Sequence, residues 1–376
     1  MGSRSSKSVS PLTRLVLWAR GAGRCYICNR SLIGDLESGA EDRNFGFVAH
    51  IVAEMPGGPR GDPVRSPLLV DDVNNLMLLC HVHHKLIDVD QAANYPEERL
   101  QEIKRSHELR IATLADIRPD RGSHVLRYAA NIGDHQAPIT YDEVAAAMLP
   151  ERYPAEGRRM IDIELRGSSL RDGDTDFWKV EQTNLRRAFE KRVSERIEDR
   201  VIQHLSIFAL APQPLLIELG RLVGDIFPAA VHQRLREPAG WRWSENGPPL
   251  RLEMKSSPGN GPSALVIGLS ATVDPDRVRR VLGRDASIWE VQAVDPHNDI
   301  VRQAADLVHF RRTIRLALDR IKAANPHARE LHLFPAMPVS TAVELGRAWM
   351  PKADLPLVVY DENRVNGGFV RALSIN

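Results

Sequence analysis

Apolar residues recur at three- and four-residue spacing in long stretches of this chain, with short unbroken apolar runs between them. Residues 95–117 place Leu100, Ile103, His107, Ile111 and Leu114 on one face, which predicts an amphipathic helix. Residues 183–203 predict another, with Leu185, Phe189, Val193, Ile197 and Val201 at four-residue steps. Helices are also expected over 11–20 and 299–323. The apolar runs at 160–165, 205–211, 265–270, 331–334 and 355–360 have the length and flanks of strands. Strands alternating with helices predict parallel α/β layers. The polar stretch RPDRGSH (118–124) is turn-forming and sets the expected domain boundary, separating residues 1–120 from 121–376.

A repeat at one offset organises the second domain. LSIFALAP (205–212) aligns with LHLFPAMP (331–338), and IELGR (217–221) with VELGR (343–347), both at an offset of 126. The apolar stretch starting at Ala229 falls opposite Leu355, again at 126. Each copy follows a long amphipathic helix. The region therefore holds two helix–strand–helix–strand copies, about 125–250 and 251–376. Ligands of open α/β sheets sit beyond the carboxyl ends of the strands. Those ends are 211–214 and 335–338, each followed by a helix N-terminus whose N–H groups suit phosphate. The expected groove lies over Pro212, Gln213 and Leu215 on one side and over Pro335 and Pro338 on the other. A duplicated site suits a ligand that is itself roughly twofold.

Composition narrows the function. The 376 residues carry 50 Lys+Arg against 49 Asp+Glu, which excludes a chain dominated by one sign of charge. Three Cys in so long a chain exclude a disulfide scaffold and point to a reducing compartment. No apolar run is long enough for a membrane span, so no membrane partner is expected and a cytoplasmic location is. Arg4, Lys7, Arg14, Arg20, Arg24 and Arg30 all precede the first acidic residue, Asp35. They form either a phosphate-facing arm or a solvated leader. Residues 1–120 nonetheless balance at 15 Lys+Arg and 16 Asp+Glu. A domain so neutral grips DNA weakly, and linked copies would raise its effective concentration.

All three cysteines fall in pairs at metal-ligand spacing. Cys25 and Cys28 form a C-x2-C knuckle, and Cys80 opens CHVHH (80–84), where His83 stands at the same spacing. One tetrahedral zinc held by Cys25, Cys28, Cys80 and His83 accounts for them as a structural site. His81 or His84 could take the place of His83. Around that frame stand His50 in FGFVAHIVAE, Asn75 in DDVNNLMLLC, and His84. The order of first knuckle, AHI (49–51), NLMLLC (75–80) and HH (83–84) resembles the HNH endonucleases over residues 20–90. The resemblance implies a small zinc-stabilised ββα-metal domain that cleaves phosphodiesters. It implies His50 as the base that deprotonates water and His84 as a ligand of a catalytic divalent ion such as Mg2+. Asn75 would bind that ion or orient His50. Where the family often carries a metal-binding residue before the base, this chain has Ala49. Glu54, Asp71 and Asp72 are the candidates to replace it.

The second domain carries a further likeness. FALAPQPL (208–215), LGRLVGDIF (219–227), WRW (241–243) and HLFPAMPVSTAVELGR (332–347) resemble SAVED domains, over about 125–376. That implies a duplicated Rossmann-like (CARF-like) α/β sensor of two fused halves that binds a cyclic oligonucleotide. With an HNH domain ahead of it, the chain is similar to the HNH–SAVED effector nucleases of CBASS antiphage systems. The similarity implies that a cyclic di- or trinucleotide drives homo-oligomerisation and degradation of double-stranded DNA. Trp241 and Trp243 are candidates to stack a base, although alternating strand positions put both on one side and core packing of at least one is expected. Arg236, Arg242 and Lys255 are candidates to pair with phosphates. The region has no Walker-type loop and reads as a sensor. Two other readings stay open: a restriction-type HNH endonuclease without a nucleotide switch, and a zinc-stabilised binding protein without activity.

Overall fold

The computed structural model describes residues 9–35, 40–130, 139–164, 174, 176–244, 247–363 and 368–376. The chain forms two compact units, Met1–Arg118 and Pro119–Asn376. Arg4 and Lys7 of the basic arm, and Leu165 of the strand expected at 160–165, lie outside the described residues. Among the described residues no helix is long and apolar enough to cross a membrane.

The first unit begins with helix α1 (Pro11–Arg20), where the Ser10 side chain accepts from Thr13 N and proline opens the first turn. Strands β1 (Gly46–His50) and β2 (Leu76–Cys80) pair antiparallel, with Gly46 opposite Cys80 and His50 opposite Leu76. Helix α2 (His81–Lys85) runs directly out of β2 and widens into a π-helical turn, Leu86–Asp90. Helix α3 (Glu97–Ala115) follows. Leu76, Met77, Leu78 and Leu79 are all buried, so β2 is covered on both faces, and Leu17 of α1 and Leu100 of α3 join its core. Leu114 of α3, expected on the apolar face, is exposed. Lys104 is buried instead, its ammonium held by Glu108 and by the carbonyl of Leu76.

The second unit contains two halves of one design. The first runs β3 (Gly122–Ala129), α4 (Tyr141–Met148), β4 (Ile161–Glu164), α5 (Phe177–Phe189), β5 (Leu205–Leu210), α6 (Gln213–Val223) and β6 (Ala229–Val231). The second runs β7 (Leu252–Ser257), β8 (Ser263–Gly268), α7 (Pro275–Leu282), β9 (Ser287–Ala293), α8 (Ala304–Ala324), β10 (Leu331–Ala336), α9 (Val339–Ala348), β11 (Leu357–Asn363) and β12 (Gly368–Ile375). The parallel order β4-β3-β5-β6 in the first half recurs as β9-β8-β10-β11 in the second. Strands β7 and β12 add antiparallel edges to the second sheet.

Two sequence expectations change. The helix expected over 183–203 starts earlier, because Phe177 and Trp178 are already core residues. It continues through a π-helical turn, Glu190–Ser194, and ends at Glu198, just before Arg200 takes a left-handed φ of 59°. Val201 is consequently exposed. The end of the turn-forming stretch 118–124 belongs to β3, a central strand buried along most of its length.

The repeat shows its physical purpose where α6 crosses α9. A Cβ built on Gly220 would lie 2.0 Å from the carbonyl oxygen of Val343, and one on Gly346 would lie 1.9 Å from that of Ile217. Both glycines and both carbonyls are related by the 126-residue offset, so the contact is reciprocal about a pseudo-twofold axis. Beside it, buried Glu218 pairs with Arg221 at 2.7 Å, and buried Glu344 with Arg347 at 3.1 Å. The motif ELGR thus supplies a buried acid, a core leucine, the crossing glycine and the neutralising arginine, once per half. Gly220→Ala should destabilise the second unit by about 1–3 kcal/mol, since the obstacle is rigid backbone. Thermal unfolding checks this; an unchanged melting temperature would mean that the helices separate at little cost.

Candidate functional site

The first unit gathers four side chains that could hold a metal ion. Cys25 and Cys28 lie in the turn after α1, Cys80 caps α2 and His83 sits within it. Cys28 Sγ is 4.0 Å from Cys80 Sγ, and His83 Nδ1 is 3.7 Å from Cys25 Sγ and 3.2 Å from Cys80 Sγ. All four donor atoms lie within 4.8 Å of one another. Sulfurs around a tetrahedral zinc stand about 3.8 Å apart, given Zn–S bonds of about 2.3 Å, so the donor set fits that metal. Burial pushes the Cys25 thiol up to about 11; a cation beside it would be what makes it a thiolate. His81 and His84 point elsewhere, both against the Phe47 ring. Among the alternatives left by the sequence, His83 is the one whose ring nitrogen joins the three thiols.

His50 ends β1, half-buried, with Nε2 3.1 Å from the carbonyl oxygen of Val70. A carbonyl only accepts, so Nε2 carries the proton and Nδ1 is left basic. Asn75 is 3% exposed. Its Oδ1 accepts from Val52 N at 2.8 Å, and its Nδ2 donates to the carbonyls of Val52 and Leu69. The buried amide is engaged by backbone at both ends, so of the two roles expected of it these contacts favour orientation over metal binding. Asn75 pins the backbone two residues beyond His50. His84 stacks on Phe47 at 5.2 Å, and its Nε2 lies 3.5 Å from Asp88 Oδ2.

The residues expected to compensate for Ala49 do not converge. Ala49 is buried, Glu54 is exposed, Asp71 accepts from Ser10 N, and Asp72 caps Asn74 N. Among the described residues the only group of three or more His, Cys, Asp or Glu donors is the Cys25–Cys28–Cys80–His83 cluster. A catalytic ion therefore finds no complete protein shell, and His84 with Asp88 is what the described residues offer. Sequence reasoning missed Asp88 and Arg60, whose side chains pair at 2.7 Å. The only signal was Arg60, a charged residue inside an otherwise tight glycine–proline turn.

In the second unit the carboxyl ends of β5 and β10 meet. Pro212 and Pro338, equivalent by the 126 offset, cap α6 and α9. Gln213 Oε1 accepts from Met337 N at 3.2 Å, and Gln233 Oε1 accepts from Ser340 N at 3.1 Å and from Ser340 Oγ at 2.7 Å. The first half thus fills two backbone donors of the second. Pro212, Pro335 and Pro338 are buried, so they shape the turns rather than line a groove. The segment after β6 also reaches the second half, where the backbone N–H groups of Arg236 and Glu237 donate to Asp299. The Arg236 and Arg242 side chains are exposed.

Two of the aromatic and basic candidates are not at the strand ends where a ligand was expected. Trp241 is 2% exposed, edge-on to Phe208, and belongs to the core of the first half. Lys255 stands opposite Glu290 in the middle of edge strand β7, away from the strand ends, and pairs with Glu253 at 3.0 Å. Trp243 is half-buried at the outer end of a stack with His232 and Phe208. Burial pushes the His232 imidazole down to about 4. Gln233 and Asp299, which join the halves, gave no signal because they lie in irregular segments.

The second unit is thus a tandem of two Rossmann-like halves locked at a reciprocal helix crossing. Residues 185–375 match the family described as "SMODS-associated and fused to various effectors sensor domain", SAVED, and the chain belongs to that family. Among solved structures it is similar to the Acinetobacter baumannii Cap4 SAVED/CARF-domain containing receptor with the cyclic trinucleotide 2'3'3'-cAAA, at 14% identity and a TM-score of 0.44. That match covers 74% of this chain and 61% of the receptor, so the chain spans about three fifths of the receptor's length. The same receptor with 3'3'3'-cAAA matches at 13% identity and a TM-score of 0.45, covering 84% and 68% of the two chains. The Moraxella osloensis Cap4 receptor matches at 12% identity and a TM-score of 0.42, covering 74% and 59%. No curated protein matches the chain.

Proposed function

We propose that this chain is a DNA endonuclease switched on by a cyclic oligonucleotide, acting as an effector of CBASS antiphage defence. The observation that carries the nuclease half is the placement of His50. Its imidazole ends the first strand of a ββα unit, with Nε2 committed to Val70 and Nδ1 basic. In the reaction, Nδ1 takes a proton from water as the oxygen attacks phosphorus, and the bond to the 3′ oxygen breaks. The bond to Val70 holds the ring before and after it is charged. A divalent ion, when bound, supplies charge stabilisation on the phosphate and the leaving oxygen. The Cys25–Cys28–Cys80–His83 cluster would hold a structural zinc that fastens α2 to the first knuckle.

Family membership supports the sensing half, since a SAVED domain is a sensor fused to an effector. The cyclic di- or trinucleotide would lie over the joined strand ends, near Gln213, Arg236 and Arg242, and favour one arrangement of the protein that binds a second copy. Paired nuclease units would then cut both strands of a duplex.

The test is cleavage of supercoiled plasmid by the full chain with Mg2+, with and without a panel of cyclic di- and trinucleotides. Cleavage that depends on one or a few of them is the expected result. Cleavage without any nucleotide would overturn the switch, and none under any condition would overturn the nuclease. Light scattering with an activating nucleotide should show a larger assembly; a monomer would remove the oligomerisation step.

A further inference from the structure

We infer that Arg60 is the positioning residue of the nuclease site, its guanidinium tying the end of the strand that carries His50 to the turn that orients His84. The inference rests on the nuclease reading. Arg60 sits in GGPRGD (57–62) with a left-handed φ of 57°, a conformation that costs a side-chain-bearing residue about 1–3 kcal/mol. Glycine would be cheaper there, and its neighbour Gly61 shows how tight the turn is: a Cβ on it would lie 2.4 Å from the Pro56 carbonyl oxygen. What an arginine adds is the fork of N–H donors.

The Arg60 side chain is 10% exposed. Nε donates to the carbonyl of Ile51 at 2.6 Å, and Nη2 reaches that of His50 at 3.5 Å. Nη1 donates to the carbonyl of Ile87 at 2.9 Å and reaches that of Tyr95 at 3.5 Å. Nη2 also donates to Asp88 Oδ1 at 2.7 Å. Five N–H groups meet five acceptors, all that a guanidinium has. Two acceptors belong to the end of β1, beside the base. Two belong to the π-helical turn that continues α2, and Asp88 faces His84 with its other oxygen.

Removing the fork leaves half-buried carbonyls and a carboxylate without donors, and the two segments lose their common anchor. None of the five acceptors belongs to Leu76–Leu79 or to the four metal donors, so the β1–β2 pairing and the metal cluster keep their own bonds. Lysine cannot replace it, because three donors on one point cannot span acceptors on two sides.

The test uses the full chain with Arg60→Lys, Arg60→Met and Asp88→Asn. Zinc content and melting temperature serve as controls on folding. Hydrogen exchange at residues 50–53 and 86–90 should accelerate about tenfold or more in both Arg60 variants. Cleavage should fall about a hundredfold in kcat with KM for DNA unchanged, and lysine should not rescue it. Asp88→Asn keeps an acceptor for Arg60 but turns a donor toward His84. It should leave exchange at 50–53 at the wild-type level and still lower kcat. Wild-type exchange and kcat in Arg60→Lys or Arg60→Met would overturn the inference, as would wild-type kcat in Asp88→Asn. Exchange needs no cleavage. A wild-type chain that never cuts DNA would sink the nuclease reading alone, with exchange then deciding whether Arg60 is the tether.

Discussion

His50→Ala is expected to lower nucleotide-stimulated cleavage roughly a hundredfold to ten-thousandfold, the usual worth of a general base, while the cyclic nucleotide binds as before. The variant should fold. The β1–β2 pairing is made by backbone, and the His50 ring makes one bond, to Val70. The neighbouring turn is held independently, by Asn75 on Val52 and by the Arg60 guanidinium on Ile51. Plasmid cleavage and calorimetric titration of the nucleotide measure the two halves of the claim separately. A variant that keeps more than about a tenth of the wild-type rate would show that another group takes the proton.

The largest effect on stability is expected from the metal cluster. Cys25→Ser or Cys80→Ser should abolish zinc binding and unfold the first unit, leaving the second unit folded and able to bind nucleotide. The cluster joins the turn after α1 to the start of α2, two segments that otherwise share one small core. Structural zinc contributes on the order of 10 kcal/mol to folding of small domains, more than such a core can forgo. Because Leu17 of α1 and Leu100 of α3 belong to that core, both helices should be lost with it. Metal analysis, limited proteolysis and thermal unfolding of the variants check this. Purified wild-type protein that resists protease and holds no zinc would remove the basis for the claim.

Much of the fold was legible because its determinants are local or repeated. Four-residue apolar spacing marked α3 and α5, and two ELGR segments at one offset marked the duplicated halves. Strand β3 was not legible. It is central and buried along most of its length, so it has no clean alternation, and its start lies in a stretch of turn-forming residues. The end at Glu198 of the helical stretch that α5 begins was missed for the opposite reason: the apolar spacing continues to Val201, but Arg200 leaves helical geometry first.

In the candidate sites, residue types and short spacings set out the chemistry on offer. The chain contained two metal-ligand pairs, a histidine in an apolar strand, and two proline-capped strand ends. Which of those groups are available depended on how distant segments pack. The fold made that choice. It chose His83 over His81 and His84 by turning the latter two onto Phe47, and it spent the Asn75 amide on backbone. It buried Trp241, set Lys255 on an edge strand, and brought Arg60 to Asp88 and Gln233 to Ser340. Each of those outcomes depends on which distant partner a side chain meets, and spacing along one segment carries no information about a partner on another.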